Sequence, residues 1–203
     1  MHQSSLNNML WFKRKYLGGR EKEKLFIIDL GSFDVNGSYR SLFNETGWKY
    51  FGMDMSPGKN VDIVLDDPYD WKEIQSNSAD VLISGQAFEH IEFFWITMLE
   101  IERVLRPGGI CCIIAPSGGP EHRYPVDCWR FYHDGFAALA RFARLELKEA
   151  VTNRKTDISY TDSSNIWQDT IVVYRKVKAP PFYALRHRIW RFLLHRMLTW
   201  NLQ

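Results

Sequence analysis

The chain has 203 residues, 45% of them hydrophobic and 15% aromatic, which suits one domain with an ordinary core and excludes a disordered polypeptide. Its 26 basic and 24 acidic residues leave a formal charge of +2, yet every acid lies between Glu21 and Asp169, so an acidic body is flanked by two basic ends. That distribution argues against a nucleic-acid partner and leaves an anionic surface to the ends alone.

Residues 1–24 read as an N-terminal helical segment without the basic, apolar and small-residue order of a secretion signal. LFIIDL (25–30) is a short apolar run before a glycine, as a strand buried on both faces requires. Ser38 to Glu45 reads as a helix, KYFGMDM (49–55) as the second strand and VDIVL (61–65) as the third. A short helix near Tyr69–Ile74 precedes the fourth strand, ADVLIS (79–84). From Glu92 to Leu105 apolar residues recur at helical spacing until Pro107-Gly108-Gly109 stops them, and ICCIIAP (110–116) is the fifth strand. A Gly/Pro-rich loop (117–132), a helix at Phe136–Ala143 and an antiparallel pair, Leu145–Ala150 with Trp167–Val177, complete residues 25–178. Pro180-Pro181 sets off residues 179–203, a basic amphipathic helix from about Tyr183 to Trp200. Alternating strands and helices predict an α/β fold with a Rossmann-like, mostly parallel sheet and helices on both faces.

Cys111, Cys112 and Cys128 are odd in number and two are adjacent, so neither a disulfide framework nor a metal site is expected, and the default compartment is cytoplasmic. No apolar run approaches the ~20 residues of a membrane span.

In an open parallel sheet, ligands bind beyond the carboxyl ends of the strands. The loops there read Asp29-Leu30-Gly31-Ser32-Phe33-Asp34, Asp54-Met55, Asp66-Asp67 and Ser84-Gly85-Gln86. A pyrophosphate loop needs closely spaced glycines and no acids, because its N–H groups must meet negative charge. Here Asp29 and Asp34 would repel phosphate, which disfavours a dinucleotide or nucleotide-sugar enzyme. Acids do accept hydrogen bonds from an ammonium, a ribose diol or an adenine amine.

IIDLGSFDVNG, GMDM, ADVLISGQAFEH and IERVLRPGGICCIIAP, in that order, resemble the motifs of class I S-adenosylmethionine-dependent methyltransferases, in particular the type 11 methyltransferase domain. The resemblance spans about Leu25 to Pro116 and implies class I methyltransferase architecture with S-adenosylmethionine as cofactor. It assigns Asp29, Gly31, Ser32 and Phe33 to the methionyl part, Asp54 with Met55 to the ribose, Asp66 or Asp67 to the adenine amine, and Ser84 to Gln86 to the floor near the sulfonium. Phe33 stands where the family carries a second glycine, and Gly37 comes late. A non-catalytic cofactor-binding or interaction module is therefore the alternative to an enzyme.

Glu89 and His90 follow the fourth strand, where a histidine either deprotonates an acceptor or only orders its loop. The 122–132 loop packs many aromatic and charged groups into one segment. His122 is read as a second catalytic candidate, Arg123, Tyr124 and Asp127 as an acceptor wall for a small molecule or saccharide, and Trp129 and Phe131 as packing. No N-P-P-Y-like motif for methylating base amino groups occurs, which points to oxygen as the acceptor. In the last helix Leu185, Ile189, Phe192, Leu193, Met197 and Trp200 form one stripe and Arg186, Arg188, Arg191 and His195 lie largely off it. Such a helix docks on its own domain, covers a protein partner or lies on an anionic membrane.

Overall fold

Leu25–Leu30 forms β1, and Asp29 is its one polar residue; in the computed structural model, which describes residues 2–154, 160–178 and 180–200, this strand lies centrally in a seven-stranded sheet. The others are β2 (Trp48–Asp54), β3 (Ile63–Val64), β4 (Ala79–Gly85), β5 (Leu105–Ala115), β6 (Leu145–Thr152) and β7 (Thr170–Lys176), in the order β3-β2-β1-β4-β5-β7-β6. The first five are parallel, while β7 runs antiparallel to β5 and β6. The predicted α/β sheet is therefore present, with its antiparallel pair. The strand order reverses between β1 and β4, which opens a crevice at their carboxyl ends.

Each face carries its own core. One consists of Ile28, Met53, Leu82, Ile113 and Val172 under α2 (Phe94–Val104) and α3 (His133–Ala143). The other consists of Ile27, Val81, Ile83, Cys112 and Val173 under α1 (Gln3–Phe12), through Met9, Phe12 and the following π turn with Leu17. Thus the N-terminal segment covers one face of the sheet and is part of its core.

Three expectations change. Ser38–Glu45 is one 3-10 turn, Arg40–Phe43, whose Phe43 is buried. No helix forms at Tyr69–Ile74; the Trp71 N–H donates to the buried Glu100 carboxylate at 2.9 Å, and the Trp71 ring is fully buried. Pro107 to Gly109 belong to an irregular start of β5, where the register shifts between Ala79 and Val81 and Gly108 takes φ +84°.

The last helix, α5 (Pro181–Trp200), docks on α2 by its polar side. Arg191 bonds Glu100 at 2.8 Å and Asp70 at 2.9 Å, His195 pairs with Asp67 at 2.7 Å, and His187 lies 3.6 Å from Glu102. A single apolar residue, Leu194, joins the core cluster from this helix among the described residues. The predicted apolar stripe faces outward instead: Leu185, Ile189, Phe192, Leu193 and Met197 are all exposed, and the side chain of Trp200 lies outside the described residues. Across this interface, acids of the body meet basic groups of a helix that carries no acid itself.

Candidate active site

At the end of β1 the chain turns through Gly31 at φ +75°, where an added Cβ would lie 2.3 Å from the Cβ of Ala87. No side chain fits that approach, so the glycine is required twice, by conformation and by space. Asp54 ends β2 and accepts from the backbone N–H of Phe33 at 3.1 Å and of Ser56 at 3.2 Å. These bonds fix a carboxylate at the mouth of the crevice, each oxygen keeping a lone pair for a diol. The ring of Phe33 turns onto Gly58, where a Cβ would lie 2.2 Å away, so the missing glycine of the first loop is matched by one in the second. Met55 is exposed beside Asp54.

Other predicted contacts are otherwise engaged. Asp29 is buried and accepts from the Tyr50 hydroxyl, and burial pushes its pKa up to about 7 against the pull of Tyr50 and Arg40. Ser32 is buried and donates to the Asn60 carbonyl at 3.2 Å, while the Asn60 amide returns a bond to the Ser32 carbonyl at 2.9 Å. Ser84 is fully buried and its hydroxyl donates to the Leu30 carbonyl at 2.9 Å, which ties β4 to β1 rather than reaching a ligand. Asp67 caps Tyr69 and pairs with His195, so Asp66, exposed, is the acid left for an amine at that edge.

The other side of the crevice is assembled from distant parts of the chain. Gln86, at φ +59°, donates to Asp169 at 3.0 Å and to Ser5 at 3.3 Å. Asp169 is buried and also accepts from Ser4 at 2.6 Å, with His2 Nε2 3.0 Å away. Ser5 meets the Tyr39 hydroxyl at 2.6 Å, and that tyrosine covers Gly85. Helix α1 therefore closes the crevice beyond β4 and β7. Sequence reading missed His2, Ser4, Tyr39, Tyr50 and Asp169, and no local spacing marks them.

Phe88–His90 is a single 3-10 turn, and the backbone N–H groups of Cys128 and Trp129 donate to the Glu89 carbonyl at 2.7 and 3.2 Å. That pins the 117–132 loop beside His90. The His90 and His122 rings lie 4.9 Å apart, and His122 packs 4.5 Å from Trp167, which stacks on His2. His90 is held by the Val126 carbonyl, 2.5 Å from Nδ1, and burial lowers its pKa, so the ring stays neutral. Glu89 is fully buried; desolvation raises its pKa to about 8, and neither oxygen has a hydrogen-bond partner.

Of the predicted acceptor wall, Tyr124 stands exposed at the lip of this cluster, 6.2 Å from His90. Arg123 is solvated and pairs with Glu121 at 2.7 Å. Asp127 corrects the expectation: its carboxylate is buried, takes two bonds from Arg130 and one from the His122 N–H, and is thereby held well below the usual carboxylate range. It organises the loop and offers nothing to an acceptor. Phe131 is buried as expected, while Trp129 is partly exposed over Phe94 and Trp95, its indole N–H bonded to the Glu92 carbonyl. A separate groove of about 540 Å³ lies at the opposite, amino ends of β1, β2 and β4, lined by Lys22, Lys24, Lys49 and Asp80. It meets none of these groups.

A parallel sheet with this strand order, a glycine turn after β1 and an acid ending β2 define the fold of a class I S-adenosylmethionine-dependent methyltransferase. Residues 28–113 match the family model described as a methyltransferase domain. A 1,6-didemethyltoxoflavin-N1-methyltransferase of Burkholderia thailandensis superposes with a TM-score of 0.64 at 14% identity, covering 86% of this chain and 79% of that one. A phosphoethanolamine N-methyltransferase 2 of Haemonchus contortus gives 0.63 at 16%, covering 85% and 52%. A complex between the Haloferax volcanii Trm112 methyltransferase activator and a methyltransferase gives 0.60 at 19%, covering 85% and 94%. A search of curated protein sequences found no match. The Gly31 turn, free of any Cβ, and the fixed Asp54 carboxylate fit the cofactor's chain and ribose.

Proposed function

We propose that the chain transfers the methyl group to an oxygen of a small-molecule or saccharide acceptor held between the Phe88–His90 turn and the 117–132 loop. The observation that supports oxygen is the pair of imidazoles, one kept neutral, beside the aromatic rings of Tyr124 and Trp167. Aromatic faces suit a sugar or another ring, and a neutral imidazole can accept a hydroxyl proton. Asp54 would bind the ribose hydroxyls, Asp66 the adenine amine, and the Gly31–Phe33 backbone the methionyl part, while Gln86 would line the floor. S-adenosylmethionine supplies the electrophilic methyl carbon. With the cofactor bound, its methyl carbon would be open to attack by the acceptor oxygen, and His90 or His122 would take the hydroxyl proton. The step needs alignment above all. Methyl-labelled cofactor incubated with hydroxylated and amine acceptors should label the hydroxylated set at oxygen. Label on nitrogen would refute the oxygen assignment, and cofactor binding without turnover would favour the non-catalytic module.

A second surface bears on location. No helix among the described residues is long and apolar enough to cross a membrane. The outer side of α5 exposes Phe182, Leu185, Ile189, Trp190, Phe192, Leu193 and Met197 among Arg186 and Arg188, with no acid in the helix. We propose that this face seats the enzyme on an anionic membrane surface of the cytoplasm, apolar groups in the headgroup region and arginines on lipid charge. Co-sedimentation with phosphatidylserine vesicles should be lost in 0.5 M salt and in the Trp190→Glu variant. Equal retention by the variant, or by neutral vesicles, would contradict it.

A further inference from the structure

We propose that Glu89, His90 and His122 form a site for one divalent transition-metal ion, Zn²⁺ or an ion of similar size and ligand preference, at the acceptor side of the crevice. One ligand atom from each of the three lies within 4.8 Å of the others, a spread that small side-chain rotations bring to metal-ligand distances. A carboxylate with two imidazoles is a donor set that zinc and non-haem iron sites share.

The second observation is the state of these groups. Both Glu89 oxygens and Nδ1 of His122 are buried with no hydrogen-bond partner. A buried carboxylate aimed at two imidazoles and bonded to nothing is costly, and most buried polar groups avoid that state. Arg130, the nearest cation, spends its guanidinium on Asp127 and on the Pro120 and Trp129 carbonyls. A bound cation would supply Glu89 with the missing counter-charge.

The third is the outer shell. Metal-binding histidines usually give their second ring nitrogen to a carbonyl or carboxylate, which fixes tautomer and orientation. His90 does so with the Val126 carbonyl, leaving Nε2, 3.7 Å from Glu89 Oε1, as the ligand atom. The loop that carries His122 is bonded to the turn that carries the other two ligands, so the three are held together before any ion arrives.

Three protein ligands leave a coordination position for an outside oxygen. Under the reading of the chain as an oxygen methyltransferase, that oxygen is the acceptor hydroxyl, whose proton the ion makes easier to lose to solvent. With the ion bound, the imidazoles are its ligands and the proton goes to solvent; direct transfer to His90 or His122 describes the metal-free enzyme.

The test uses the untagged full chain with Cys128→Ser, which removes the exposed thiol as a competing ligand. Titration with Co²⁺ alone should give one equivalent bound with visible absorption bands, and Zn²⁺ should displace it. Glu89→Gln and His122→Asn, each checked for folding by circular dichroism, should weaken binding at least tenfold. Affinity for S-adenosylhomocysteine, measured on the same samples, should stay within twofold. No stoichiometric Co²⁺, or equal affinity in both variants, overturns the site. Metal binding without any affinity for S-adenosylhomocysteine would leave the site standing and overturn its role in methyl transfer. If one variant fails to fold, the other decides.

Discussion

The ends of β1, β2 and β3 and the ends of β4, β5 and β7 face each other across one crevice, but the chain builds them differently. On the first side Gly31, Phe33, Asp54 and Asp66 follow one another closely in sequence and are fixed by backbone bonds, such as that from the Phe33 N–H to Asp54. On the second, Gln86, Glu89, His90 and His122 are placed by partners as remote as His2 and Asp169, which are 167 residues apart. A cofactor common to many enzymes can be held by short local motifs. The side proposed for the acceptor is instead shaped by the N-terminal helix and the 117–132 loop. Mutations on the two sides should therefore separate cofactor affinity from everything else.

The largest effect is expected at Gly31. Gly31→Ala adds left-handed strain and a collision with Ala87, together on the order of 2–5 kcal/mol of stability. Urea unfolding should show that loss, and the folded fraction should no longer bind S-adenosylhomocysteine. Stability and binding both unchanged would mean that the turn is not the cofactor cradle.

The next concerns Asp29. Its pKa is raised from 3.8 to about 7 by burial, so the folded state favours the protonated form. A raised carboxyl contributes stability at low pH, and the contribution is lost as pH rises toward and through 7. The cofactor-free chain should therefore lose thermal stability between pH 5 and 8, by on the order of 2 kcal/mol from this group. Glu89, raised to about 8, adds a loss of the same sign at slightly higher pH. Asp29→Asn should flatten the lower part of the profile; an unchanged profile would show that Asp29 is ionised in the fold.

A smaller effect should follow Asp127→Ala, which frees Arg130 and the His122 N–H. Amide exchange should speed up across residues 117–132 while affinity for S-adenosylhomocysteine stays within twofold. Equal loss of cofactor binding would erase the distinction between the two sides.

Much of this was legible in the sequence because it rests on local patterns. Apolar runs such as LFIIDL and ICCIIA, each bounded by glycine or proline, read as strands buried on both faces, and the acids and glycine at strand ends define a crevice unsuited to phosphate. Most of what escaped depends on distance. The acids that receive Arg191 and His195 lie 91 to 128 residues away, so the sequence left open whether the apolar stripe of α5 would turn inward, to a protein partner or to an anionic membrane. Its basic side docks and the stripe faces out. Ser84 read as floor because its partner, the Leu30 carbonyl, lies 54 residues back; Asp127 is a local miss, since Arg130 stands three residues on but a loop sequence does not show which of its charges pair. The 3-10 turn at Arg40–Phe43 replaced the helix predicted there.

The claim that the two sides do separate work is tested most directly by isothermal titration of S-adenosylhomocysteine into the wild type, Asp54→Ala and His122→Ala. Loss of the two hydrogen bonds that the ribose hydroxyls would donate to the carboxylate should weaken Asp54→Ala by about tenfold or more, while His122→Ala should bind within twofold of the wild type. Equal affinity in Asp54→Ala, or an equal loss in His122→Ala, would contradict the account.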